Sequence, residues 1–215
     1  MMERELLEKM FEFHGHKCWA SALGLRAGLI ALRELGSPRS GAKTFYTILE
    51  TGYNHGAGCF GDGVQYATGC TTGKGNLLRN PRGKLAFTLI DPQKRKQIRI
   101  SFNPKIREQI AKPNFMKKRS QGIPPTEIPE EDVWEVVNLV HNAPEEEVLF
   151  IGKVEDSNFE PPFEVMGMEV CEICGEMVSL PYIRLLGTNK ACSTGNKKVC
   201  IDCSGYEEGF EKRKV

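Results

Sequence analysis

The sequence contains no apolar stretch that approaches the roughly 20 residues needed to cross a bilayer. Its first residues, MMERELLEKMFEF, carry too many charges for the apolar region of a signal peptide. Neither positive nor negative charge is in clear excess, because the net charge is only +1. The chain therefore has no global field that would attract nucleic acid or an anionic surface. These absences predict a cytoplasmic protein without membrane contact.

A nucleotide-binding P-loop is also absent, because no segment has the G-x-x-x-x-G-K-[ST] spacing. The segment GCTTGKGN at 69–76 still combines glycines, hydroxyls and a lysine, which suit a phosphate or a carboxylate. Cys70, Thr71 and Lys74 are its candidate binding residues. Taken alone, the segment is better interpreted as a plain surface turn. Beside the His/Cys cluster described below, it would form the anion-binding wall of one pocket.

Cysteine is plentiful, with eight residues among 215. The 40% hydrophobic and 27% charged content is ordinary for a globular protein. The length allows one domain of about 150 residues and a small appendage. In a reducing compartment, so many cysteines indicate metal or redox chemistry rather than disulfides.

Four of these cysteines form two knuckles, Cys171-x2-Cys174 and Cys200-x2-Cys203, whose inner members are separated by 25 residues. Four thiolates suit the tetrahedral preference of Zn²⁺, so the spacing predicts a zinc ribbon. An Fe–S cluster and a redox dithiol use similar spacings and remain alternatives. Cys192 lies between the knuckles as a core thiol, an alternate ligand or a surface thiol.

The pattern of the remaining chain predicts an α+β core with an antiparallel or mixed sheet and packed helices, followed by the small ribbon domain. The expected domains are 1–160 and 161–215, joined by a linker at 157–162. An exposed connection is expected at 113–129, which holds four prolines. The predicted helices are 3–12, 19–35, 62–67, 103–112 and 130–141, and the predicted strands are 44–49, 84–90, 97–102 and 147–154, with a hairpin between the second and third strands.

The N-terminal third contains a second group of residues of the types that bind metals: His14, His16, Cys18, His55, Cys59 and Cys70. Cys18 would begin a helix, where the helix dipole lowers the pKa of a thiol, so it is a candidate metal ligand or nucleophile. His16 is a candidate ligand or proton carrier, Cys59 a ligand, and His14 a ligand or an outer-shell group. The cluster predicts a second transition-metal site, with Zn²⁺ as the expected ion and Fe, Ni or Cu admitted by the same ligands. Lys74 would hold an anion beside it, whereas His141 is interpreted as structural.

The chain contains three motifs in order: HGHKC at 14–18, CFGDGVQ at 59–65 and GCTTGKGNL at 69–77. Together they resemble the signature of the E-subunit family of formylmethanofuran dehydrogenase. The resemblance covers residues 1 to about 155. Trp19-Ala20 stands where that family usually has Pro-Gly after its first motif. The ribbon is similar to an extra module found on some members. The resemblance implies an α+β core, an intertwined homodimer and a metal site built from the His/Cys motif.

Two functions follow from these patterns. The first is a metal-dependent protein of one-carbon or molybdopterin-linked metabolism, which the resemblance implies is an accessory subunit or a standalone relative of formylmethanofuran dehydrogenase. The second is a regulatory module whose core senses a metal or ligand while its ribbon docks a protein or nucleic acid. Nucleic acid is the weaker partner, because the ribbon offers few stacking faces, chiefly those of Tyr182 and Tyr206. The sequence leaves open whether the protein is an enzyme.

Overall fold

The structure is a computed structural model that describes residues 4–53, 57–187 and 196–205. The chain divides into two units, Met1–Pro161 and Pro162–Val215, and the division falls inside the segment expected to be a linker. His55, Cys192 and Tyr206 lie outside the described residues.

The first unit is built around two adjoining helices that follow a short amphipathic one. Helix α1, Arg4–His14, buries Leu7, Met10 and Phe11 on one face. Helix α2, Trp19–Glu34, is rich in Ala, Leu and Gly and is buried on most sides, as its composition predicts. The helices of this unit are α1 Arg4–His14, α2 Trp19–Glu34, α3 Ala57–Thr68, α4 Arg107–Ala111, α5 Asn114–Ser120, α6 Glu130–Asn142 and α7 Glu145–Val148, with 3₁₀ turns at Pro104–Ile106 and Pro125–Glu127.

A mixed sheet packs with these helices, and its strands are β1 Tyr46–Leu49, β2 Leu77–Arg79, β3 Ala86–Asp91, β4 Lys96–Phe102, β5 Leu149–Ile151 and β6 Glu155–Asp156. The strand order is β2-β1-β3-β4-β5, and β6 also pairs with β4. Strands β1 and β2 are parallel and the other pairs are antiparallel. The predicted hairpin is confirmed, because Thr88 lies opposite Arg99 in the β3–β4 ladder. The α+β fold class is therefore confirmed.

The segment 113–129 differs from its prediction as an exposed connection. It contains α5 and a 3₁₀ turn, and it buries Phe115 and Ile128 in the core. Its prolines lie at element boundaries, where Pro113 and Pro129 precede the first residues of α5 and α6. A proline is tolerated there because the first backbone N–H groups of a helix have no partner within the helix.

Three other boundaries were wrong for local reasons. The helix predicted at 62–67 starts earlier, at Ala57, despite its glycines. The predicted strand 147–154 is shorter, because α7 occupies Glu145–Val148 and the strand then pairs with β4 over Leu149–Ile151 only. The helix predicted at 103–112 is divided into the turn Pro104–Ile106 and α4.

Helices α2 and α3 pack backbone against backbone. A Cβ atom added to Gly24 would lie 2.0 Å from the carbonyl oxygen of Phe60, and one added to Gly63 would lie 2.0 Å from that of Ser21. Gly28, one turn after Gly24, approaches Ala67, which lies further along α3 than Phe60. The contacts advance along both helices together, so the helices run in the same direction. The N-termini of both helices therefore lie at the same end of the pair.

The second unit consists of two small hairpins and a helical turn. Its described core is small, with Cys171, Val199 and Cys200 buried and Val178 and Cys203 packed against them. So little buried apolar surface predicts that the fold of this unit depends on a metal. Its elements are β7 Met168–Val170, β8 Met177–Ser179, a 3₁₀ turn at Leu180–Tyr182, β9 Ile183–Leu186, β10 Lys197–Cys200 and α8 Ile201–Ser204.

Within the described parts of the chain, no helix has both the length and the apolar character that crossing a membrane requires.

The close helix pair predicts that Gly63→Ala lowers the free energy of unfolding. The added methyl group meets a backbone oxygen rather than a mobile side chain, so the helices must separate, at a cost of about 1–3 kcal/mol. Gly58→Ala on the same helix is the control, because nothing lies within 4 Å of its added Cβ. Urea unfolding of both variants is the measurement, and equal midpoints for Gly63→Ala and wild type would contradict the packing described.

Candidate metal centre

Four side chains from three segments of the first unit converge at the N-termini of α2 and α3. One donor atom from each of His14, His16, Cys18 and Cys59 lies within 4.8 Å of the other three. Tetrahedral zinc with two nitrogen and two sulfur ligands separates its donors by roughly 3.3–3.8 Å. The group therefore fits a tetrahedral ion after small side-chain movements.

The turn between α1 and α2 places three of these donors. Gly15 adopts a left-handed φ of 89° and ends α1 with a hydrogen bond from its N–H to the carbonyl of Phe11 at 2.8 Å. Cys18 then caps α2, where its sulfur accepts the N–H of Ser21 at 3.4 Å. His14 Nε2 lies 3.9 Å from this sulfur. The short turn thus aims His14 and Cys18 at one point.

Asp62 holds the His14 ring from the side opposite to the sulfur. His14 Nδ1 donates to Asp62 Oδ2 at 2.7 Å, and the imidazole is nearly buried. This bond leaves Nε2 to face Cys18, which is the arrangement that carboxylate–histidine–metal sites use. The bond with Asp62, followed by contact with Cys18, raises the pKa of His14 to about 9. The CFGD motif brings Asp62 to the site, because it places this carboxylate one turn after Cys59 on α3.

The pKa values of the two thiols, Cys18 and Cys59, are shifted in opposite directions. The hydrogen bond with Cys59 is the main cause that holds the pKa of Cys18 well below its usual range, with His14, His16 and Ser21 adding to it against the effect of burial. The same bond raises the pKa of the Cys59 thiol. A bound dication would hold both sulfurs as thiolates, so its binding would release the proton that remains on this pair.

A cavity of about 640 Å³ adjoins the donors. His16, Cys18 and Cys59 form one part of its lining. Trp19, which departs from the usual family motif, and residues of α5 form another. The segment 113–129 thus supplies a wall of the candidate site.

The structure does not bring Cys70, Thr71 and Lys74 to this group. Lys74 Nζ donates to the carbonyl of Gly41 at 3.0 Å and to that of Gly69, and its N–H donates to Thr71 Oγ1 at 3.3 Å. Cys70 lies two residues beyond the last residue of α3, whereas Cys59 lies in its first turn, so about 14 Å of helix separates them.

Two further observations explain why this segment does not form the predicted anion-binding wall. The Lys74 ammonium is occupied in binding main-chain carbonyls, one in its own loop at Gly69 and one in the distant segment at Gly41. The thiol of Cys70 is buried, donates to the carbonyl of Phe45 at 3.4 Å, and has its pKa raised by that burial.

The second unit brings Cys171, Cys174, Cys200 and Cys203 together, with their sulfurs within 4.8 Å of one another. Backbone N–H groups point at the sulfurs, as in metal-binding knuckles, and Cys200 N–H donates to Cys171 Sγ at 3.3 Å. Backbone N–H donors of this kind lower the pKa of Cys171 to about 6, and the N–H of Cys174 has the largest effect. Both Cys/His groups of the chain are therefore able to hold a metal ion.

The geometry agrees with comparisons to known proteins. The family described as "FmdE, Molybdenum formylmethanofuran dehydrogenase operon" matches residues 13–150, which include the four donors of the first unit and Asp62. The chain belongs to the FmdE family. This finding confirms the resemblance inferred from the three sequence motifs.

Two individual proteins extend the comparison. A "Probable S-adenosyl-L-methionine-binding protein" from Archaeoglobus fulgidus is 33% identical over 217 residues, which cover 93% of this chain and 52% of the relative. The FmdE-family chain thus spans about half the length of this curated relative. A crystal structure of a tungsten formylmethanofuran dehydrogenase FmdE-like protein from Syntrophus aciditrophicus has a TM-score of 0.56 and 20% identity, with 94% of this chain and 91% of that chain covered. This likeness shows the shared fold.

The contact between Asp62 and His14 predicts that Asp62→Ala weakens metal binding by the first unit about 10–100-fold. The substitution removes the carboxylate that orients the His14 ring and leaves all four donors in place. Competition with a chromophoric chelator measures the affinity. Asp156→Ala is a suitable control, because its carboxylate pairs with Lys96 at the sheet edge. An unchanged affinity in Asp62→Ala would contradict the role assigned to this carboxylate.

Proposed function

We propose that this FmdE-family protein binds a transition metal, with Zn²⁺ as the preferred ion, through His14, His16, Cys18 and Cys59. The single observation that carries the proposal is the convergence of four donor atoms within 4.8 Å beside a cavity of about 640 Å³. Two imidazoles and two thiolates are a common zinc ligand set. The ion would form part of the floor of a small-molecule site, because three of its ligands line the cavity.

The residues of the chain have distinct roles in this proposal. Asp62 orients His14, and Ser21 and the start of α2 hold Cys18 in place. A bound ion would polarise a ligand group in the cavity as a Lewis acid. His16 lies at the cavity, where an imidazole is able to accept a proton from a ligand or return it. Cys18 serves as a thiolate ligand, with a role as nucleophile as the alternative.

The metabolic setting that we propose is one-carbon or molybdopterin-linked metabolism. The family description supports it, because it names the operon of molybdenum formylmethanofuran dehydrogenase. In this setting the chain is an accessory subunit or a standalone relative of that enzyme.

The second unit has a structural role in this proposal. Zn²⁺ bound by its four cysteines would stabilise a small fold, and its surface would dock a protein partner. A homodimer formed by the first unit also stays a prediction. Size-exclusion chromatography with light scattering would measure it, and a monomer mass of 24.1 kDa across the working concentration range would contradict it.

Metal content tests the proposal directly. Elemental analysis of the anaerobically purified full chain is expected to find two metal ions per chain. The Cys18→Ala/Cys59→Ala variant should retain one ion, held by the second unit. Cys70→Ala is the matched control and should retain two, because this cysteine lies outside both groups. Two ions in the Cys18→Ala/Cys59→Ala variant would contradict the proposed site.

S-adenosylmethionine is a second candidate ligand, favoured by the name of the Archaeoglobus relative and by the extent of its match. The cavity offers aromatic side chains, Trp19 and Phe115, against which an adenine ring could stack. Equilibrium dialysis with labelled S-adenosylmethionine is expected to give one molecule per chain. Trp19→Ala should weaken this binding at least tenfold, whereas Tyr53→Ala, a change at an exposed ring, should not. No saturable binding by the wild type would remove this candidate.

A further inference from the structure

The four donors of the first unit are not held equally well. His14 is fixed by Asp62, Cys18 caps α2, and Cys59 belongs to the first turn of α3. His16 lies in the turn between α1 and α2, and its ring packs on that of His14 with centroids 4.3 Å apart. Among the described residues, no carboxylate or carbonyl holds its second ring nitrogen. Since histidine ligands are usually fixed in that way, His16 is the donor that most easily leaves an ion.

The cavity beside His16 has a specific chemical character. Much of its described lining is apolar, with Trp19, Leu85, Phe115 and Met116 prominent. No Asp or Glu occurs in the part of the lining that the structure describes, and Arg119 is its one Lys or Arg. The charges of two thiolates and a dication cancel, and the carboxylate of Asp62 is bonded to His14 and is not among the described lining residues. The described lining therefore presents the positive charge of Arg119 with no carboxylate beside it. An anion with an apolar body would match this combination.

Arg119 is placed to receive an anionic group. It lies in the last turn of α5, and its Nη1 donates to the carbonyl of Ile123 at 2.5 Å. This bond uses one of the five N–H donors of a guanidinium group. The others are able to bind a carboxylate in the two-point geometry for which arginine is suited.

We propose that the cavity binds a small organic acid that carries a sulfur or nitrogen donor, which takes the place of His16 on the metal while Arg119 binds the acid group. The proposal rests on the proposed metal site and adds to it the class of ligand and the ligand position that opens. A thiol would bind the ion as its thiolate, and its proton would pass to solvent. His16 is then an exchangeable ligand, whereas His14, Cys18 and Cys59 stay bound.

Cobalt substitution of the full-length protein allows a spectroscopic test. The probes are 3-mercaptopropionate and 1-propanethiol, which share a thiol and differ in the carboxylate. A third thiolate on cobalt adds a near-ultraviolet charge-transfer band, which reports binding without any enzyme assay. The same titration of the Cys18→Ala/Cys59→Ala variant gives the background from the second unit. Cobalt content after gel filtration shows whether the probe has removed the ion.

We expect saturable growth of the band with 3-mercaptopropionate and at least tenfold weaker binding of 1-propanethiol. Arg119→Gln should remove this difference by weakening binding of 3-mercaptopropionate alone. Unchanged binding of 1-propanethiol by this variant would show that the cavity of the variant is intact. Lys117→Gln on the same helix should behave as wild type, because this residue is not among the described cavity-lining residues. His16→Ala should bind the acid at least as tightly as wild type, because no imidazole has to be displaced.

Several results would overturn the proposal. Equal binding of the two thiols by the wild type would remove the role of Arg119, and so would unchanged binding of the acid in Arg119→Gln. A cobalt-loaded first unit that shows no new band, or that loses its cobalt to the probe, would overturn the proposed ligand class and leave the metal site standing. Failure of the first unit to take up cobalt would overturn both.

Discussion

The candidate metal centre depends on the backbone contact between α2 and α3. Gly24 and Gly63 lack the Cβ atoms that would separate the two helices, so a main-chain carbonyl of each helix approaches the backbone of the other. Because the helices run in the same direction, their N-termini lie together, with Cys18 at one and Cys59 near the other. The positive ends of two helix dipoles then face the sulfurs, and both favour the thiolate form.

The site combines rigid and adaptable parts. Asp62, one turn after Cys59, fixes the ring of His14, while the cap of α2 fixes Cys18. His16 faces the cavity without comparable restraint among the described residues, and α5 provides another part of the cavity wall. A purely structural zinc ion is usually held by four protein ligands with no open position, and the four cysteines of the second unit supply such a set. The unequal support of the donors in the first unit is more consistent with a site that binds a ligand.

The sequence predicted most of what depends on local spacing and less of what depends on packing. The two knuckles, Cys18 at a helix start and the β3–β4 hairpin are local patterns, and the structure contains them. The bond between Asp62 and His14 was not predicted, because it depends on how α3 is rotated against α1. The cavity wall formed by α5 was not predicted, because the prolines that flank this helix indicate a loop. The Lys74 loop was misleading because its charge is satisfied by main-chain carbonyls, which no side-chain motif reveals.

The helix contact has a thermodynamic consequence for the ion. Donors carried by two helices share an ion only when those helices are paired, so ion binding and helix pairing are linked equilibria. A change that weakens the pairing lowers the apparent ion affinity once an appreciable fraction of the chains is unpaired, even where it touches no ligand. Conversely, an ion present at 100 times its dissociation constant would add about 2.7 kcal/mol to the stability of the paired state. The glycines at the helix crossing therefore belong to the metal site in energy, although they contribute no ligand atom.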